Sequence, residues 1–192
     1  MKTTAIISSF ALMLSYSSVC LAESHAGGHG HASHEAAAPA LTKLVCNMQA
    51  TDGNKVTGTV TFSQLDDGKV KIVAEISGLT ANGKHAIHIH EFGDISAADG
   101  TATGGHYNPE GHDHGLPDSK MRHAGDFGNL EADADGKAKF ELTVDNLTLN
   151  GAKNPILGRG MIIHAGPDDG GQPTGNAGDR IAQGVIGVAK TE

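Results

Sequence analysis

Past residue 40 this chain never sustains an apolar stripe long enough for a helix, which limits its possible folds more than any other feature. Its apolar runs are short and end in turn signals such as Asp52-Gly53-Asn54 and Asp66-Asp67-Gly68. Between the turns the pattern has period two. Val70, Ile72, Ala74 and Ile76 alternate with Lys71 and Glu75, which sets one face of a strand toward a core and the other toward water. Ala138, Phe140, Leu142 and Val144 likewise face one way. Strands are predicted over residues 41–50, 56–65, 70–76, 84–92, 127–131, 137–144, 156–164 and 183–189. The 27 glycines and the lack of tryptophan favour tight turns over a helical bundle. The expected class is all-β, an eight-stranded antiparallel barrel or sandwich with Greek-key connections.

Residues 1–22 read as a secretory signal. Lys2 supplies the positive start, an apolar run follows from Ala5 to about Leu14, and Cys20-Leu21-Ala22 places small residues before a cut after Ala22. The run is too short for a membrane span, so no stable membrane anchor is expected. Lipidation of Cys20 is the other reading, though Ser17-Ser18-Val19 is a poor setting for it. The chain is therefore expected to be exported, to a bacterial periplasm or otherwise secreted. Residues 23–40 are rich in Ala, Gly and His with no apolar period, and read as a flexible tail. His25, His29, His31 and His34 suit capture of copper or zinc ions, or simply punctuate a linker. The folded domain is then 41–192. With the signal removed, Cys46 is the one remaining cysteine, so no internal disulfide is expected and Cys46 reads as a small buried hydrophobe. A formal net charge of −8 argues against a nucleic-acid partner. It also means that an anionic substrate would need a local positive feature.

The chemistry lies in histidines. His88-Ile89-His90 sits on a predicted strand, where residues two apart share a face, so two imidazoles stand side by side while Ile87 and Ile89 face the core. Residues 93–125 carry Gly, Pro, His and Asp with little apolar pattern, and a loop of that length in a compact domain is often functional. This stretch and its end hold His106, His114, His123 and Asp126. Three imidazoles and a carboxylate fill a zinc tetrahedron, and a full set is structural rather than hydrolytic. Metal binding there would supply folding free energy to a loop without an apolar core. His164 ends the apolar run Gly160-Met161-Ile162-Ile163 and can return to the first pair.

The stretches His85-Ala-Ile-His-Ile-His-Glu-Phe-Gly-Asp94 and Gly105-His-Tyr-Asn-Pro109 resemble the copper/zinc superoxide dismutases. So do His123-Ala-Gly-Asp126, Ile162-Ile-His164, Gly175-Asn-Ala-Gly-Asp-Arg180 and Gly184-Val-Ile-Gly187, in the same order along residues 41–190. The resemblance implies a superoxide dismutase, in which copper cycles between oxidation states and zinc is structural. It implies that His88, His90, His106 and His164 bind copper, and that His106, His114, His123 and Asp126 bind zinc, with His106 bridging the two and carrying a proton. Asp168 would link a copper ligand to a zinc ligand, Arg180 would stand beside the copper to attract the superoxide anion, and His85 would be structural. His112 matches no ligand and reads as a surface residue. Arg180 read alone is a surface arginine paired with Asp179. Phe92-Gly93 and the Gly184–Gly187 ending resemble the dimer contacts of the family's eukaryotic-type branch, implying a homodimer. A non-catalytic copper/zinc buffer on the same fold is the alternative, but a buffer has no need of Arg180.

Two departures stand out. The family ties its long loop to the last strand with a disulfide, and the matching positions here are Gly100 and Gln183. Such a bond typically contributes about 2–4 kcal/mol, so loop order is expected to lean on zinc. The segment between His164 and Arg180 is short and holds Asp168 and Asp169 but no lysine, so it lacks guiding positive charge beyond Arg180 itself.

Overall fold

A computed structural model describes residues 41–190. The signal segment, Cys20 and the His-rich tail lie outside the described residues. Eight strands follow in order: β1 (Lys43–Ala50), β2 (Thr57–Gln64), β3 (Val70–Ser77), β4 (Lys84–His90), β5 (Asp126–Glu131), β6 (Ala138–Val144), β7 (Gly160–His164) and β8 (Arg180–Val188). Every ladder is antiparallel, and the strand order is β5-β4-β7-β8-β1-β2-β3-β6. The two end strands, β5 and β6, lie beside each other without a shared ladder, so the sheet curls into a nearly closed barrel. Closure leaves little free strand edge exposed. Among the described residues the one helical element is a 3₁₀ turn at Thr101–Thr103. Among the described residues no helix is long and apolar enough to cross a membrane.

The alternation read in the sequence becomes the barrel's inner face. Leu44, Cys46 and Met48 from β1, Val60 and Phe62 from β2, and Val70, Ile72, Ala74 and Ile76 from β3 form one buried cluster. Burial pushes the Cys46 thiol up to about 12, which leaves it the inert hydrophobe expected. Strands β4 and β7 break the half-buried pattern. All of β7 and six of the seven residues of β4 are buried. Ile87, Ile89, Met161 and Ile163 join the core, and the opposite face of the same strands is covered by the long loop.

Several strand boundaries differ from the sequence reading, three of them for a visible reason. The run from Ile156 opens as a turn, with Arg159 N–H on the Ile156 carbonyl at 3.1 Å and Gly158 at φ 82°, so β7 starts only at Gly160. β4 stops at His90, because Glu91 and Phe92 turn their amides to Gly105 and Thr103 of the loop. β8 begins at Arg180, which pairs with His164 beyond a bulge. A bulge re-aims the side chains on either side of it, and this one lies between Ile163 and His164.

Candidate metal centre

The long loop is laid against β4 by its backbone. Tyr107 N–H donates to the Ile89 carbonyl at 2.9 Å, Ile89 N–H to Gly125 at 3.0 Å and Gly125 N–H to Tyr107 at 3.0 Å. These bonds set His106, next to Tyr107, and His123 and Asp126, next to Gly125, over the face of β4 that carries His88 and His90. Gly125 comes so close that an added Cβ would collide with the Ile89 carbonyl oxygen, so only glycine fits there. His88 pairs directly with Asp126 across the β4–β5 ladder, beyond a second irregularity in register.

Two groups of four donors result, His88, His90, His106 and His164 in one and His106, His114, His123 and Asp126 in the other. Within each, one donor atom per residue lies within 4.8 Å of the rest. His106 belongs to both, its ring centroid 4.1 Å from His88, 5.2 Å from His90, 5.3 Å from His114 and 5.4 Å from His123. All seven side chains are buried.

Their hydrogen bonds show what these atoms are for. His90 and His164 donate Nδ1–H to the carbonyls of Gly104 and Gly178 at 2.9 and 3.0 Å, and His88 donates Nε2–H to Asp168 at 2.9 Å. Each ring is thereby fixed in one tautomer with its other nitrogen carrying a lone pair. Those nitrogens, His88 Nδ1, His90 Nε2 and His164 Nε2, are buried with no hydrogen-bond partner. A buried polar atom without a partner costs about 1–3 kcal/mol, so three converging on one point call for a ligand. An all-imidazole set suits copper, and three imidazoles with one carboxylate suit zinc. The residues present fit both metals.

Charge follows the same division. Burial holds His88 down at about 4, against the pull of Asp168, and holds His164 down at about 3. Burial also takes His90 well below its usual range. His88, His90 and His164 are therefore neutral near pH 7 and free to ligate. In the second set burial opposes a charge on His114, but the Asp126 and Asp168 carboxylates beside it outweigh burial and raise the imidazole to about 9. Its Nε2 lies 2.8 Å from Asp168, and its Nδ1 lies 2.9 Å from Asp126 without hydrogen-bond alignment. Burial likewise opposes the Asp168 and Asp126 carboxylates, yet their histidine partners hold both far below the usual range. Asp168 spans the two sets, one oxygen on His88 and the other on His114.

Arg180 does not pair with Asp179. Its NH1 donates to Gly100 O at 2.7 Å and Thr103 Oγ1 at 2.9 Å, and its NH2 to Gly104 O at 2.8 Å. The Gly104 carbonyl also accepts from His90, so the guanidinium adjoins the all-histidine set. His85 is buried behind that set, its Nδ1 donating to the His164 carbonyl at 2.9 Å. His112 joins neither set, as expected, but it is half-buried rather than a free surface residue. Its Nδ1 bonds the Arg122 carbonyl at 3.2 Å, and the Asn108 amide grips its backbone.

Sequence reasoning missed the supporting amides. Asn129 and Asp168 exchange two hydrogen bonds of 2.9 and 2.7 Å, and Gln172 clamps the backbone of His114 from both sides. Gln183, noted only for replacing a cysteine, donates to the Ala97 carbonyl at 3.0 Å. No spacing signal marks any of them, because each pair is far apart along the chain.

Residues 56–186 match the family model described as copper/zinc superoxide dismutase. A Cu-Zn superoxide dismutase of Paramecium bursaria Chlorella virus 1 is 47% identical over 158 residues, covering 78% of this chain and 82% of its own. The Cu-Zn superoxide dismutase of Schizosaccharomyces pombe is 46% identical over 144 residues, covering 71% and 92% respectively. Among solved structures, that of the clock protein EA4 superposes with a TM-score of 0.70 at 37% identity, covering 77% of this chain and 95% of that one.

With His114 raised to about 9, the metal-free protein holds a proton there near pH 7 that a zinc ion bound by this set would displace. Zinc uptake at pH 7 is expected to release about one proton per ion, fading as pH rises through about 9. Calorimetric titration in two buffers of different ionisation enthalpy measures it, and zinc uptake with no proton release contradicts it. The linkage signs for metal-free stability are opposite in the two sets. The His114 contribution is fully present below pH 6.5 and lost as pH rises through about 9. The contributions of neutral His88 and His164 are present above pH 6.5 and lost as pH falls through about 4 and 3.

Proposed function

The chain belongs to the copper/zinc superoxide dismutase family and is a superoxide dismutase, and on that premise we propose which of its residues perform the reaction. Two superoxide ions and two protons become dioxygen and hydrogen peroxide, one superoxide losing an electron and the other gaining it. The family uses copper and zinc, and copper supplies the accessible one-electron couple that zinc lacks. His88, His90, His106 and His164 would hold copper, and His106, His114, His123 and Asp126 would hold zinc. The observation that carries this assignment is the set of three orphaned, buried imidazole nitrogens on His88, His90 and His164.

The roles follow from the surroundings. His88, His90 and His164 are neutral near pH 7, so no proton competes for their lone pairs. His106 presents its ring to both sets and would hold a proton on the nitrogen nearer the copper set, for delivery to the departing peroxide. Asp168 keeps His88 and His114 in register, so that the two sets cannot rotate independently. Arg180 supplies the local positive charge that an acidic chain needs in order to draw in an anion. Burial lowers its pKa and Asp99 opposes that, but a guanidinium stays charged near neutrality.

The same proposal includes export and a homodimer. Export rests on the pattern of residues 1–22. The dimer rests on Phe92 and Leu157, 55% and 38% exposed, which line one shallow cleft beside β8, whose last residue Val188 is 57% exposed. Isolated apolar residues need no partner, but Phe92 and Leu157 exposed on one cleft favour one.

Two measurements test this reading. Arg180→Ala is expected to lower kcat/KM by about tenfold or more and flatten its dependence on ionic strength, with copper retained. Unchanged kinetics per bound copper would remove Arg180 from the mechanism. Native mass spectrometry of the protein from its own cells is expected to give a dimer of chains beginning at Glu23. A monomer contradicts the pairing, and a chain still starting at Met1 contradicts the export.

A further inference from the structure

Arg180 is held by the carbonyls and hydroxyl of a turn at residues 97–104, and little apolar packing holds that turn. Residues 96, 98, 99 and 101 are exposed, and Ala97 is half-buried. Polar ties do the holding, and Phe92 N–H on the Thr103 carbonyl at 2.9 Å is one of them. Asp52 N–H, from the turn after β1, reaches the Ala98 carbonyl at 2.8 Å, Thr103 Oγ1 closes on the Gly100 carbonyl at 2.9 Å, and Gln183 Nε2 reaches the Ala97 carbonyl at 3.0 Å. The Ala97 carbonyl also accepts Gly100 N–H at 3.0 Å. Gly100, at φ 79°, lies in the left-handed region that suits glycine, and the carbonyl it presents takes Arg180 NH1 at 2.7 Å.

The hydrogen bonds thus run unbroken from Gln183 to Ala97, Gly100, Arg180 and Gly104, where they meet His90. We propose that Gln183 is a positioning residue for Arg180, its amide fixing the turn whose carbonyls aim the guanidinium at the copper set. This rests on the role assigned to Arg180 above. Gln183 lies three residues beyond Arg180 on β8, is 3% exposed and touches no metal donor set, so it acts only through the turn.

Packing alone does not explain a glutamine at this place. Its Oε1 is buried with no hydrogen-bond partner, a standing cost that an apolar side chain of the same length would avoid. What the amide adds is the donor to Ala97. The tie is also non-covalent, and the described residues contain no disulfide, so the placement of Arg180 is indifferent to reductant.

Gln183→Met keeps the length and removes both the donor and the orphaned oxygen, so the fold is expected to survive. The experiment measures kcat/KM per bound copper against ionic strength for the copper- and zinc-loaded protein, Gln183→Met, Arg180→Ala and the double variant. Gln183→Met is expected to lose about three- to tenfold with both metals retained, since misplacing a positioned group by a fraction of an ångström has effects of this order. Its salt dependence is expected to shift toward that of Arg180→Ala, and the double variant to be no slower than Arg180→Ala alone. A merely structural Gln183 would lower the melting temperature and leave rate and salt slope per copper untouched, which overturns the proposal. Losses that multiply in the double variant overturn it as well. If Arg180→Ala itself is silent, the Arg180 reading falls and takes this one with it, whereas a slow Arg180→Ala beside a normal Gln183→Met overturns Gln183 alone. Should Gln183→Met fail to fold, Gln183→Asn, which keeps the amide but falls a methylene short, carries the same comparison.

Discussion

An imidazole nitrogen that has left water and found no hydrogen bond is costly, and this fold gathers three of them at one point. His88 Nδ1, His90 Nε2 and His164 Nε2 are each held in place by a hydrogen bond at the opposite ring nitrogen. The barrel exists in part to make that arrangement rigid. β4 places two of these rings by period two, and the bulge between Ile163 and His164 turns the third toward them. The second donor set compensates itself differently, with His114 charged between two carboxylates. A metal ion would replace that proton in one set and fill orphaned lone pairs in the other.

The long loop needs no apolar core of its own, because its backbone adds to β4 and amide side chains from outside it hold its backbone. Gly125 permits the close approach, and Gln172 and Gln183 make the side-chain ties. Loop order was expected to lean on zinc in the absence of a disulfide. The hydrogen bonds from Gln183, Asp52 and Arg180 tie residues 97–104 without drawing on either metal set, so the zinc set has less of the loop to organise.

What was legible in the sequence was whatever is written locally. Alternation along β3 and β6, turn residues between strands and the paired faces of His88 and His90 all depend on neighbours within a few positions. His106, His114, His123 and Asp126 read as a zinc set from their residue types, and His164 as a return to the first pair, but nothing in the spacing says which ring is shared, and that came only through the resemblance. The supporting amides were illegible for a plainer reason. Asn129 meets Asp168 across 39 residues, Gln172 meets His114 across 58, and Gln183 meets Ala97 across 86. A polar side chain that acts on a backbone carbonyl so far away leaves no pattern along the chain. Strand ends were misplaced where a glycine turn or the returning loop took over the backbone hydrogen bonds, as at Gly158 and Glu91.

The central claim is that two four-donor sets share His106. Anomalous diffraction from crystals of the copper- and zinc-loaded protein, collected at both absorption edges, tests it most directly. One copper ion is expected among His88, His90, His106 and His164 and one zinc ion among His106, His114, His123 and Asp126, with the His106 ring between them. A copper ion held by other residues, or a His106 ring bound to a single ion while the second lies elsewhere, would contradict it.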